Sequence, residues 1–137
     1  MLTLTHDPID PAALLQAVMR RDCGGVVLFL GTVRDLTDGN MTMALEYEAY
    51  AGMAEKELCD IAEQAHGRWP IGALAVVHRL GKLAIMDVAV GVAVSCPHRG
   101  DAFEAARFVI DEVKKRVPIW KRDHTPDGTA AWVHPGA

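Results

Sequence analysis

Residues 73–95 read ALAVVHRLGKLAIMDVAVGVAVS, and this stretch decides the fold class. Ala73–His78 and Leu83–Ser95 are rich in β-branched residues, which fit the pleated, half-buried surface of a sheet. They flank a turn at Gly81 that is far shorter than the crossover needed between parallel strands. Strands joined so tightly imply antiparallel pairing.

Helices are predicted on both sides of this stretch. Met53 to Trp69 carries Leu58, Ile61, Ala62 and Ala65 on one side, and Pro70 ends it. Asp101 to Val117 runs until Pro118. Further out, Val26–Arg34 reads as a strand. The polar segment Asp35–Asn40, with its Asp38-Gly39 turn signal, predicts a hairpin partner at Met41–Tyr47. Met1–Thr5 alternates like a short strand. Asp10-Pro11 then supplies an N-cap and a first helical proline, and Leu14, Leu15, Val18 and Met19 form the buried stripe of a helix that stops before Gly24-Gly25. After Pro118 come a turn at Thr125–Gly128 and a short Trp132-Val133 segment. The order β-α-β-β-α-β-β-α-β describes one domain over residues 1–137, of α+β class, with helices packed on an antiparallel sheet.

Half of the 137 residues are hydrophobic and 23% are charged, enough for one core without disulfide or metal staples. Fourteen basic against eighteen acidic side chains give a net charge of −4, which argues against a polyanionic partner such as nucleic acid. Cys23, Cys59 and Cys96 are odd in number and form no C-x-x-C pair, so they read as free thiols of a reducing compartment. The start MLTLTHDPID has no secretory pattern, and the apolar run from Ala84 to Cys96 is broken by Asp87 and too short to span a bilayer. A cytoplasmic protein without membrane contact is the expectation.

Phosphate-binding, dinucleotide, nucleophile-elbow and zinc-helix motifs are all missing from the sequence. The six histidines are scattered, so no metal site is expected. What stands out is the placement of basic residues. Arg34 closes an apolar strand, and His98-Arg99 precedes the helix opening at Gly100-Asp101, where free N–H groups and the dipole favour an anion. A solvated arginine beside a capping histidine would account for the same pair.

On a helical wheel Phe103, Ala106, Ile110, Val113 and Val117 form the expected buried stripe. Lys114 falls about 20° from Phe103 and Lys115 about 120° away. Lys115 suits an exposed pair with Asp111. Lys114, with its stem against apolar neighbours, either snorkels or is desolvated toward use as a base or nucleophile. Val117-Pro118-Ile119-Trp120-Lys121-Arg122 then reads as a rigid segment able to face Lys121 toward Lys114, or simply as a basic surface patch. The residues alone point to a small, positively lined pocket for a phosphorylated ligand.

The chain resembles the molybdopterin synthase large (catalytic) subunit family along most of its length. The matching pieces are Phe29-Leu30-Gly31-Thr32-Val33-Arg34, Leu45-Glu46-Tyr47-Glu48-Ala49-Tyr50 with Met53-Ala54-Glu55, and His78-Arg79-Leu80-Gly81. They continue with Ser95-Cys96-Pro97-His98-Arg99, Ala102-Phe103-Glu104-Ala105, Ile110-Asp111-Glu112-Val113-Lys114 and Pro118-Ile119-Trp120-Lys121. Each piece alone is weak, but their joint order and spacing are specific.

The resemblance implies an α/β hammerhead-like fold, and a homodimer at the centre of a heterotetramer. It also implies a small ubiquitin-like partner that carries sulfur as a thiocarboxylate on a C-terminal Gly-Gly tail. The implied activity is a sulfurtransferase of molybdenum cofactor biosynthesis, which transfers two sulfurs to cyclic pyranopterin monophosphate to give the dithiolene of molybdopterin. No cofactor is implied, since the pterin is the substrate. Position by position, Lys114 and Lys121 match the catalytic lysines. Arg34, His98 and Arg99 match groups that hold phosphate and pterin, with Phe29 as a wall, and in such families the pocket can draw on both protomers.

Two departures from the family pattern bear on the site. Asp123 stands where glutamate is more usual, and beyond Trp132 only His134 offers a basic group. Cys96 is not implied as a sulfur carrier, because the family carries sulfur on the partner. The rival readings are a non-enzymatic phosphate- or C-terminus-binding module, which the pairing of Lys114 with Lys121 disfavours, and an RNA-binding domain. The latter needs a basic, aromatic sheet face that a net charge of −4 and eight aromatics do not supply.

Overall fold

The computed structural model describes residues 1–37, 39–129 and 131–133. Along the chain the elements are β1 (Leu2–Thr5), α1 (Pro11–Val18), β2 (Gly25–Thr32), β3 (Leu36–Thr37), β4 (Asn40–Met41), β5 (Ala44–Ala49) and α2 (Ala51–Arg68). They continue with β6 (Ala73–Arg79), β7 (Gly81–Ala84), β8 (Val88–Cys96), α3 (Arg99–Arg116), β9 (Ile119–Thr125) and β10 (Gly128–Thr129). The α+β class holds: three helices pack on sheets whose pairings are antiparallel except for β1 with β6. None of the helices is long and apolar enough to cross a membrane.

The first sheet has the order β1-β6-β8-β2. Its strands alternate between two cores, as a period of two dictates. Ala75, Val77 and Ala93 face Leu14 and Val18 of α1, while Leu74, Val76, Val92 and Val94 join the larger core built with α2 and α3. A Cβ at Gly91 would collide with Leu14, so this glycine is what lets α1 lie close on β8. The Asp10 side chain accepts a hydrogen bond from the Ala12 amide at 3.0 Å, the expected cap. Met19 lies outside the helix and is exposed, because α1 ends one residue earlier than its apolar pattern.

Two expectations about the strands give way. Leu83–Ser95 is not one strand. Asp87 accepts a hydrogen bond from the Ala84 amide at 2.9 Å, and Met86 adopts a φ of 75°, so a tight turn separates β7 from β8. The chain thereby leaves the first sheet at Gly81, itself at φ +91°, and β6 pairs with β8 rather than with its sequence neighbour. Nor does Met41–Tyr47 pair with β2. That strand pairs with β8, and β5 lies at the centre of a second sheet ordered β10-β9-β5-β7. The polar segment forms only the small β3–β4 hairpin, and Asp38 of its turn signal lies outside the described residues.

Helix α3 also differs from its wheel. Ala102, Ala105, Ala106, Val109 and Val113 are buried, whereas Phe103 is 62% exposed. A narrow stripe of small residues lets α3 sit between the sheet and α2, and this turns Phe103 outward. Trp69 at the end of α2 ties the helices together, donating its indole N–H to Glu104 at 3.1 Å. Asp111 is engaged by Arg107 at 3.8 Å, in place of the expected pairing with Lys115.

Candidate active site

The second sheet sets its residues on two faces. Across the β5–β9 ladder Tyr47 stands opposite Lys121 and Leu45 opposite Asp123, so these four share one face. On the other face Glu46 accepts hydrogen bonds from Arg122 at 2.8 Å and His124 at 2.7 Å. Those two bonds, Arg122 first, hold the Glu46 carboxyl below its ordinary pKa. The guanidinium of Arg122 also lies 4.5 Å from the Trp132 ring centroid. This bracing fixes β9 in the register that turns Lys121 and Asp123 the other way.

They face a cavity of about 180 Å³, lined by Thr32, Arg34, Thr42, Leu45, Tyr47, Lys114, Lys121 and Asp123. Arg34 reaches it because the β2–β8 register shifts between Gly31 and Thr32, a bulge that re-aims the strand end. The Val33 amide then bonds the Asp87 carbonyl at 2.9 Å and fixes the segment. Lys114 arrives from the last turn of α3. The residue as a whole is exposed, but a lysine pKa answers to the surroundings of its amine. Burial there lowers it, and the Lys121 ammonium lowers it further. Tyr47 is pushed up to about 12 by burial and then by Asp123, so its phenol stays neutral.

Behind Lys114 lies His78, 3% exposed. Its ring meets Tyr47 edge-on at 4.9 Å between centroids, and Nδ1 lies 2.8 Å from the Arg79 carbonyl oxygen. Burial pushes the imidazole pKa down to about 4. A folded pKa below the unfolded value of ~6.5 means the unfolded chain binds the extra proton in between. This histidine therefore removes stability as pH falls from ~6.5 toward about 4, with no further loss below. Melting temperatures across that window should show the loss in the native chain and a smaller one in His78→Gln. Identical pH dependence in the two proteins would contradict this.

Of the expected site residues, the cavity thus unites Arg34, Lys114 and Lys121. It does not include Phe29, His98 or Arg99. His98 and Arg99 stand at the other end of α3, about 22 Å from Lys114 at ~1.5 Å per residue. Phe29 lines a separate groove with Val27, Leu28, Phe103, Ala106, Arg107 and Ile110. Cys96 is fully buried, and burial raises its thiol pKa, which makes it a poor nucleophile. His134 lies outside the described residues. Sequence reading assigned no role to Thr32, Thr42, Leu45 or Tyr47. Alternation along residues 44–49 marks the last two, but only once β9 is recognised as their neighbour.

Comparison with known proteins identifies the family. The family model described as MoaE protein matches residues 4–116. The molybdopterin synthase catalytic subunit of Halalkalibacterium halodurans is 45% identical over 130 residues, 95% of this chain and 83% of that one. The crystal structure of molybdopterin synthase from Staphylococcus aureus superposes with a TM-score of 0.89 at 41% identity, covering 95% of this chain and 94% of that one. A chain from the complex of subunits 1 and 2 of the molybdopterin-converting factor of Helicobacter pylori shares the fold at a TM-score of 0.77 and 22% identity, over 93% and 87% of the two chains. This chain belongs to the MoaE family, that of the molybdopterin synthase catalytic subunits, which act in molybdenum cofactor biosynthesis.

Proposed function

We propose that this chain is a sulfurtransferase that moves sulfur from the C-terminal thiocarboxylate of a small ubiquitin-like partner to cyclic pyranopterin monophosphate. Two sulfurs are delivered in turn, giving the dithiolene of molybdopterin. The observation that carries this reading is the cavity in which Lys114, with its lowered pKa, stands with Lys121 and Arg34. Arg34 supplies charge-assisted hydrogen bonds to the substrate phosphate. Sulfur attack and opening of the cyclic phosphate require proton transfers near neutral pH, and an amine with a lowered pKa suits a general base. Lys121 and Arg34 stabilise the negative charge that develops. The pterin is substrate, and no resident cofactor enters the scheme.

The H. pylori neighbour is a complex of two subunits, which supports a small partner here as well. A tail ending in two glycines suits a cavity of about 180 Å³, because it carries no side chains, and its carboxyl end meets cations. Removing those two glycines from the partner should abolish sulfur transfer, read as pterin product by mass spectrometry, while leaving measurable docking in titration calorimetry. Full activity with the truncated partner would contradict tail insertion.

A second copy of the chain completes the site. Strand β2 ends the first sheet, so its outer backbone groups are open to another strand. Its start touches α3, since a Cβ at Gly25 would lie 2.8 Å from the Arg99 backbone, and Thr32 at its end lines the cavity. Two copies paired antiparallel along β2 about a two-fold axis would set the Gly25 end of one beside the Thr32 end of the other. Arg99 and His98 of the second copy then stand at the first copy's Arg34. Phe29 and Phe103, 40% and 62% exposed, are covered in the process. This arrangement gives a homodimer within a heterotetramer, with one small partner at each cavity.

A further inference from the structure

His78 takes no part in the proposed reaction, yet it shares a small void with the reactive lysine. The remaining walls of that void, Val113, Val117 and Ile119, are apolar. Lys114 alone among these residues also lines the main cavity. A backbone carbonyl only accepts, so Nδ1 of His78 carries the proton donated to Arg79. That leaves Nε2 with a lone pair and no proton. Among the residues lining the void, only Lys114 has a side chain able to donate to that lone pair.

We propose that His78 is a positioning residue for Lys114: its Nε2 accepts a hydrogen bond from the lysine amine across the void, holding the nitrogen where its own lone pair faces the cavity. This role rests on the reading of Lys114 as the reactive amine. The edge-on contact with Tyr47 and the bond to Arg79 fix the imidazole plane, so the acceptor is rigid. Burial keeps the ring uncharged, so it does not repel the ammonium it steers. The other titratable groups around the pair are Tyr47 from β5, Lys121 and Asp123 from β9, and Arg34 after β2. An acceptor at Nε2 favours the protonated amine and therefore opposes the lowering that burial and Lys121 impose.

The test reads Lys114 directly in the free homodimer, without the partner or the pterin, so it succeeds or fails independently of the sulfur-transfer assay. Histidine ring ¹⁵N spectra of the native protein should show His78 as the Nδ1–H tautomer across neutral pH, with an Nε2 resonance that moves in Lys114→Met. The rate of Lys114 acylation by acetic anhydride, followed against pH by peptide mass spectrometry, should show an inflection at lower pH in His78→Leu. His78→Gln, whose amide oxygen is an acceptor, should return it toward the native position. An Nε2–H tautomer in the native protein would overturn the assignment even if His78→Leu fails to fold. So would an Nε2 resonance indifferent to Lys114→Met, or equal inflections in the Leu and Gln variants.

Discussion

Lys114→Ala should lower single-turnover conversion of the cyclic precursor by about 10²–10⁴-fold, the range for loss of a general acid–base group, while Lys115→Ala leaves it unchanged. The two lysines are neighbours in the last turn of α3, but only Lys114 lines the cavity. Its pKa is lowered by burial and by Lys121. A base works in its deprotonated form, so conversion should rise with pH through that lowered pKa, below the pH at which an ordinary lysine titrates. Lys121→Ala should also be severely impaired. Lys114→Arg should not rescue, because a guanidinium stays protonated. Circular dichroism and light scattering control for folding and dimerisation. Equal rates for Lys114→Ala and Lys115→Ala would remove Lys114 from the site.

Arg99→Ala and Lys114→Ala should each be inactive as homodimers, yet recover about a quarter of native activity when exchanged in equal amounts, as statistical mixing of two-fold dimers requires. In the proposed two-fold dimer each mixed pair would have one cavity with Lys114 from one chain and Arg99 from the other, both intact, and a second cavity with both lesions. The prediction follows from distance. Lys114 and Arg99 lie at opposite ends of α3 and cannot meet one small substrate within a single chain. Recovery absent despite confirmed exchange would place the whole reaction within one chain.

The lysine contrast was legible in the sequence because helical periodicity is local: 100° per residue separates Lys114 from Lys115 wherever α3 packs. The same wheel misplaced Phe103. Periodicity names the apolar side of a helix, whereas the width of the buried stripe depends on how closely a sheet and a second helix approach. The strands show the same division. Residues 73–95 carried the antiparallel class, but nothing local said that β6 would pair with β8 and that β7 would cross to another sheet. That exchange turns on Gly81, Met86 and the Asp87 side chain, a turn written in an apolar run that hides it. Arg34, Lys114 and Lys121, which the resemblance named, line one cavity. Leu45 and Tyr47 had no role until β9 was seen beside β5, since a cross-strand register is a long-range fact.

Incubation of the native protein with a thiocarboxylated small partner and cyclic pyranopterin monophosphate, followed by mass analysis of both pterin and partner, tests sulfur transfer most directly. The expected result is a pterin carrying two sulfurs, matched by two partner chains returned to the carboxylate form for each product molecule. Unchanged precursor beside a partner that keeps its thiocarboxylate would contradict the account.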